Sequence, residues 1–176
     1  LGHIVVEDRP QINGLELAKD FITTWFSQFS YMQAQIKHMS GATDEDFELD
    51  SNALAAFGAK TTATDYIHTL ENWGMYSTQM NIFFEKYDLY LTPTTASVAP
   101  KNGEVTMPSW QKPILKGLLK VGKAHYLAEG KLVEKMVQEN LSWVPFTQLA
   151  NVTGLPAMSV PLYWNKNGLP LGSQFI

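Results

Sequence analysis

The stretch of this sequence that decides the fold reads Pro145-Phe146-Thr147-Gln148-Leu149-Ala150-Asn151-Val152-Thr153-Gly154-Leu155-Pro156-Ala157-Met158-Ser159-Val160-Pro161. Its three prolines fix φ and remove backbone donors, and Gly154 permits conformations that other residues avoid. The side chains of Asn151 and Thr153 can hydrogen-bond to neighbouring backbone and shape a turn. The stretch therefore predicts a sharp corner that leads into a buried strand over residues 157–162.

Further strands are predicted on both sides of this corner. The turn Asn165-Lys166-Asn167-Gly168 separates residues 157–162 from a second apolar stretch, residues 171–176. An Asn-Gly pair between apolar strands is a strong hairpin signal. Residues 87–94 predict a strand that ends at a proline, and residues 4–6 predict a short one.

Helical periodicity fills much of the remaining sequence. Apolar residues recur at steps of three and four over residues 14–36 and again over residues 64–87, which predicts two amphipathic helices. Residues 112–140 predict a third helical region, broken near Gly122 or Gly130. The order of elements predicts an α/β fold, with helices flanking a mixed β-sheet.

Composition excludes several classes of protein. With 176 residues, 45% apolar and 17% charged, the chain is long and apolar enough for a globular domain. A net charge of −4 argues against nucleic acid and anionic membrane as partners. No stretch is apolar enough to span a bilayer. The absence of cysteine excludes disulfides and thiolate metal sites. Together with the absence of a visible targeting segment, it favours a cytoplasmic location.

The sequence holds no self-contained catalytic or metal constellation. Gly41 is the predicted end of the first helix, and the acidic residues 44–46 after it suit a helical first turn capped by Thr43. His125 and Glu129 lie one helical turn apart, but a zinc site needs more ligands than these two. Ser159 lies outside a G-x-S-x-G elbow, and a strand serine that bonds to backbone is the simpler interpretation. We predict no metal and no cofactor.

Three segments resemble the amidase signature family, in the order that the family has them. Residues 84–94 resemble "FFE-x-YD-x-LLTPT", and residues 145–161 resemble "PFT-x-x-x-N-x-TG-x-PA-x-SVP". Residues 164–175 resemble "W-x-x-x-GLP-x-G-x-QF", and the opening Leu-Gly-His resembles the strand that begins the later half of that fold. The resemblance covers essentially the whole chain. Within the family, the sequences of these segments resemble most the bacterial amidases of the 6-aminohexanoate cyclic dimer hydrolase kind.

The resemblance implies an amide hydrolase whose catalytic residues lie outside this chain. Members of the family use a serine nucleophile, a second serine and a lysine base, with a Gly- and Ser-rich loop that supplies oxyanion-hole donors. This sequence has no such loop, and none of its lysines stands in the family's catalytic context. We therefore predict a parent amidase that acts on linear or cyclic small-molecule amides, and no catalytic residue among residues 1–176.

The resemblance also implies which residues could line a substrate pocket. The threonine of "LTP" faces the pocket in the family, and the alternative for Thr92 is that its hydroxyl ends the strand by bonding to backbone. Trp143 and Val144 are apolar, near the position where the glutamine-amidotransferase branch of the family carries an acidic residue. If they line the pocket, they favour an apolar acyl or amide substrate. The alternative is that Trp143 packs in the core. The predicted substrate-binding residues are Thr92, Pro93, Thr94, Thr95, Trp143 and Val144.

Both ends of the sequence look cut, and the resemblance implies that residues 1–176 are the C-terminal portion of an amidase signature domain. Such a portion would expose apolar surface and associate with itself. A second hypothesis is a non-catalytic pocket or interaction module that pairs with a separate chain. The residues encoded before Leu1 would distinguish these two hypotheses. A Ser-rich glycine loop and a lysine there would support the first, and their absence would contradict it. A third hypothesis is an independent metal or serine hydrolase that uses His125 or Ser159.

Overall fold

A computed structural model describes residues 2–104, 109–124 and 141–176. Its elements, in chain order, are α1 (Gly14–Ser40), a 3₁₀ turn (Asp44–Asp46), α2 (Leu49–Gly58), α3 (Ala63–Phe84), β1 (Leu91–Pro93), α4 (Gln111–Lys120), α5 (Thr147–Thr153), β2 (Met158–Trp164) and β3 (Pro170–Phe175). The predicted α/β class is confirmed. Among the described residues, no helix is both long and apolar enough to cross a membrane.

The first predicted helix is confirmed and carries a signal at each end. At its start, the Asn13 side chain accepts hydrogen bonds from the backbone N–H groups of Leu15 and Glu16, which satisfies donors that have no partner inside the helix. At its end, Gly41 adopts φ 72° and its N–H bonds to the carbonyl of Lys37. This left-handed residue stops the helix where the sequence predicts the stop.

The helices α1 and α2 pack with their backbones in close approach. Gly58 lies at the end of α2, and a Cβ atom placed on it would fall 1.8 Å from the carbonyl oxygen of Phe26 in α1. Phe57, next to it, contacts the Phe26 ring with 5.4 Å between ring centroids. Gly58 therefore sets how closely α2 can lie against α1.

The helix α3 is also fixed at its start by its own sequence. The Thr62 backbone N–H donates to the Asp65 carboxylate, and the Asp65 backbone N–H donates back to the Thr62 hydroxyl. Hydrogen bonds from the Thr62 side chain and backbone lower the pKa of Asp65, and His68 adds a smaller effect in the same direction. This reciprocal capping box fixes the boundary of the helix one residue before its predicted start.

The sheet has three strands in the order β1-β3-β2, and every described pair is antiparallel. The predicted hairpin joins β2 to β3, and in its turn the Asn165 carboxamide accepts hydrogen bonds from the backbone N–H groups of Asn167 and Leu169. The pairing shifts by one residue between Pro161 and Tyr163, which marks a β-bulge. The parallel component of the predicted mixed sheet is not seen among these strands.

Four details of the predicted strands and of the corner differ in the structure. Residues 4–6 form no strand, because no described strand lies beside them, and Ile4 is 92% exposed. The strand predicted over residues 87–94 is shorter, at Leu91–Pro93. β2 is exposed rather than buried along most of its length, because nothing described covers it. The corner contains the helix α5, which ends where Gly154 turns left-handed at φ 69°.

Two hydrophobic clusters stabilise this arrangement. The first joins α1, α3 and α5 to the end of the sheet through the buried residues Leu17, Tyr76, Met80, Leu149, Ala150, Val152 and Ile176. The second joins α1, α2 and α4 through Ile22, Phe26, Ala53, Phe57, Leu115 and Ala124. Phe21 packs against both clusters. The first cluster fixes the sheet on the helices and so positions the candidate site.

Candidate functional site

One face of the sheet collects polar side chains from all three strands. In the cross-strand register, Thr92 of β1 and Ser159 of β2 both lie opposite Gln174 of β3. Directly opposite residues of an antiparallel pair share a face, as do residues two apart along a strand. Thr94 and Gly172 therefore lie on this same face. We call these five residues the hydroxyl face.

The hydroxyls of Thr94 and Ser159 hydrogen-bond to each other across the hydroxyl face. Their Oγ1 and Oγ atoms are 2.6 Å apart, although the two residues are 65 positions apart in the sequence. Both atoms lie over Gly172, where an added Cβ would fall 2.5 Å from the Ser159 Oγ and 2.7 Å from the Thr94 Oγ1. The Thr94 N–H also donates to the Gly172 carbonyl at 2.9 Å. The absence of a side chain at Gly172 therefore allows the two hydroxyls to meet.

Thr92, the first predicted substrate contact, lies on the same face two residues before Thr94. Its side chain is 7% exposed, and its Oγ1 has no hydrogen-bond partner among the described residues. The predicted alternative, a hydroxyl that ends the strand by bonding to backbone, is therefore not seen. Beside it, Gln174 is 4% exposed and its amide donates to the Phe146 carbonyl at 3.3 Å. This bond fixes β3 to the residue before α5.

The structure brings the remaining predicted residues near one another. The N–H of Ala96 donates to the carbonyl of Trp143 at 2.9 Å, which joins the loop after β1 to the segment that holds Trp143 and Val144. Both of these side chains are half-buried, whereas Pro93 is exposed. The Thr95 hydroxyl bonds to the Ser97 carbonyl at 2.7 Å and shapes that loop.

An apolar groove of about 380 Å³ lies between this segment and the start of α1. It is lined by Gly14, Leu15, Leu17, Ala18, Leu141, Ser142, Pro145 and Gln148. The lining includes the residues on either side of Trp143 and Val144 but neither of these two. Their side chains therefore lie outside the groove.

The hydroxyl of Ser159 bonds to the Thr94 side chain and not to backbone, as the simpler interpretation of the sequence had it.

The acidic residues after the first helix do form a capped turn: the backbone N–H of Thr43 donates to the Asp46 carboxylate at 2.7 Å. Among the described residues, no three His, Cys, Asp or Glu side chains lie close enough to hold a metal ion. His125 and Glu129 lie outside the described residues.

Comparison with known proteins gives the family. The model of the amidase family matches residues 18–176. The chain belongs to the amidase family. It is 30% identical to a lipoamidase of Enterococcus faecalis over 99% of its own length, and 29% identical to the putative amidase AmiC of Mycobacterium leprae over 89%. This result confirms the family that the three sequence segments predict.

Solved structures confirm the fold of this amidase-family chain. A structure of 6-aminohexanoate cyclic dimer hydrolase superposes on 99% of the chain with a TM-score of 0.74, at 23% sequence identity. The chain spans 34% of that protein, 24% of the lipoamidase and 29% of the mycobacterial amidase. It therefore corresponds to a quarter to a third of these relatives.

The buried hydroxyl of Thr92 has a measurable consequence for stability. Replacing Thr92 with Val keeps the shape of the side chain and removes a polar atom that has no partner among the described residues. We expect the free energy of unfolding to rise by about 1 kcal/mol, because burial of an unpaired hydroxyl opposes folding. Urea denaturation followed by circular dichroism measures the change.

Thr24 of α1 gives a matched control, because its Oγ1 is also buried without a described partner, on a different element. Thr24→Val should raise stability by a similar amount. A fall in stability in Thr92→Val alone would show that the Thr92 hydroxyl makes a bond in the folded protein.

Proposed function

We propose that this chain is the C-terminal portion of an amide hydrolase of the amidase signature type. It contributes helices, the antiparallel sheet and part of the wall of the substrate pocket. The family match over residues 18–176 carries this proposal. The hydroxyl face supports it, because the face gathers hydrogen-bonding groups where the loop after β1 meets the segment around Trp143. Polar groups that converge beside apolar walls are typical of small-molecule pockets.

The catalytic nucleophile and base of the proposed enzyme come from outside this chain. Nucleophilic catalysis by serine needs a base within hydrogen-bond reach. The hydroxyl of Ser159 bonds to Thr94, and the three strands carry no histidine, lysine, aspartate or glutamate. Ser159 therefore has no adjacent general base on the sheet. The oxyanion-hole loop of the family is also missing from the sequence.

Carboxamides are the substrate class that we propose. The similar proteins include a lipoamidase, a fatty acid amide hydrolase and a 6-aminohexanoate cyclic dimer hydrolase. As part of the proposed pocket wall, the apolar residues Trp143 and Val144 would favour an apolar acyl or amide substrate, and their side chains lie outside the apolar groove beside them. The absence of cysteine suits a cytoplasmic enzyme, and no cofactor is needed for this chemistry.

The proposal predicts that the purified 176-residue chain hydrolyses no amide. The test incubates it with lipoamide, a fatty acid amide and the cyclic dimer of 6-aminohexanoate, and follows the release of ammonia or new amine. We expect no release above that of the Ser159→Ala variant. Turnover by the unaltered chain that disappears in Ser159→Ala would overturn the assignment and make Ser159 a nucleophile.

A second candidate function, a non-catalytic module that pairs with another chain, is favoured by one observation. Four large apolar side chains of β2, distributed over both faces of the strand, are each more than half exposed, and we call them together the β2 surface: Met158, Leu162, Tyr163 and Trp164. Exposed apolar patches of this kind mark interaction sites. We propose that the isolated chain associates with itself through the β2 surface.

A further inference from the structure

We infer that the Thr94–Ser159 hydroxyl pair recognises a neutral carboxamide group of the ligand. This inference rests on the proposed function, because it names what one part of the proposed pocket wall binds. Three observations carry it: the hydrogen-bonding capacity that the pair has left, the glycine beneath it and the absence of charged residues from the three described strands.

The hydroxyl pair has capacity left to bind a ligand. Each hydroxyl has one donor proton and two acceptor lone pairs. The bond between Thr94 and Ser159 uses one proton and one lone pair, and either residue can be the donor. The other proton and the remaining lone pairs have no partner among residues 2–104, 109–124 and 141–176. Ser159 is exposed and Thr94 is half-buried, so a ligand can reach them.

Gly172 gives the site its shape. A side chain at this position would occupy the space in which the two hydroxyls meet, since its Cβ would lie within 2.7 Å of both oxygens. A glycine inside a strand weakens the strand and marks a place where another group approaches closely. At Gly172 the approaching groups are the two hydroxyls, which form a donor and acceptor unit on the surface of the sheet.

The composition of the three strands beside the pair favours a neutral ligand. β1, β2 and β3 carry no lysine, arginine, histidine, aspartate or glutamate. A carboxylate or an ammonium group bound here would lose hydration without gaining a charged partner. A carboxamide presents a carbonyl acceptor and an N–H donor. The carbonyl matches the remaining hydroxyl proton, and the N–H matches a remaining lone pair of Thr94 or Ser159. The site therefore fits an amide better than the corresponding acid.

The test compares two ligands with the same carbon chain, hexanamide and hexanoate, on the 176-residue chain. Saturation-transfer difference NMR gives the Kd of each. We expect hexanamide to bind more tightly than hexanoate, and Ser159→Ala or Thr94→Val to weaken hexanamide binding at least about fivefold by removing one hydrogen bond. Gly172→Ala should weaken it as well, because the new Cβ separates the hydroxyls.

Ser173→Ala is the matched control, because Ser173 lies next to Gly172 in β3 but on the opposite face of the sheet. It should leave the Kd for hexanamide unchanged. Equal binding by wild type and Ser159→Ala, or hexanoate binding as tight as that of hexanamide, would overturn the inference and leave the proposed function standing. Release of ammonia from hexanamide in the same sample would instead contradict the proposed function.

Discussion

Replacing Gly58 with Ala is expected to lower the free energy of unfolding by about 3 kcal/mol, at the upper end of the usual cost of overpacking. The new Cβ would lie 1.8 Å from the carbonyl oxygen and 2.3 Å from the carbonyl carbon of Phe26. These are backbone atoms of α1, which cannot rotate away as the end of a side chain can. The helices α1 and α2 would have to separate, and the Phe26–Phe57 contact would be lost. Urea denaturation measures the loss.

Gly74→Ala is the matched control for this change. Gly74 lies inside α3, and a Cβ added to it meets no atom within 4 Å. Ala should therefore stabilise the helix by up to about 1 kcal/mol, because it has the higher helix propensity. The same substitution is thus expected to have opposite signs at the two positions. A Gly58→Ala variant as stable as the wild type would show that α1 and α2 do not pack this closely in solution.

The proposed association through the β2 surface is expected to give a large, concentration-dependent change in size. Sedimentation velocity should show the sedimentation coefficient rising between about 1 and about 100 µM, the range in which exposed apolar surface drives association. Placing lysines at Leu162 and Trp164 should keep the chain monomeric, because charge on an exposed strand opposes pairing. Pro161 and the adjacent bulge already interrupt the outer hydrogen-bonding edge of β2. Side-chain contact should therefore contribute most of the association.

A control variant carries the same two charges away from the sheet. Ile67 and Met75 lie on α3 and are each 57% exposed, so Ile67→Lys with Met75→Lys should associate as the wild type does. A wild-type chain that stays monomeric at high concentration would contradict the proposal. Equal loss of association in both variants would show that net charge, and not the β2 surface, sets the behaviour.

Local signals in the sequence predict much of the fold. The spacing of apolar residues predicts α1 and α3, because one face of each helix must meet the core. Gly41 marks the end of α1, and the Asn-Gly turn predicts the β2–β3 hairpin, because both depend on backbone conformations that few residues adopt. The threonine, asparagine and glycine at the corner predict a turn, but their hydrogen-bonding groups also suit a short helix.

Other features depend on contacts that a local pattern does not contain. Residues 4–6 have the composition of a strand, but a strand needs a neighbour to pair with. The apolar sequence of β2 predicts a strand, while its exposure depends on what covers it. Thr94 and Ser159 meet only because β3 lies between their strands. An isolated glycine inside a predicted strand, Gly172, is the one sequence signal that could have indicated this close approach.

The 27-residue helix α1 carries both hydrophobic clusters on one continuous backbone. Leu17 packs in the cluster that holds the sheet, Ile22 packs in the cluster that holds α2 and α4, and Phe21 contacts both. Neither cluster can lose its packing without removing support from the other. The described part of the chain should consequently unfold as one cooperative unit, so that damage far from the hydroxyl face, at Gly58 for example, also reduces the population of molecules in which that face is assembled.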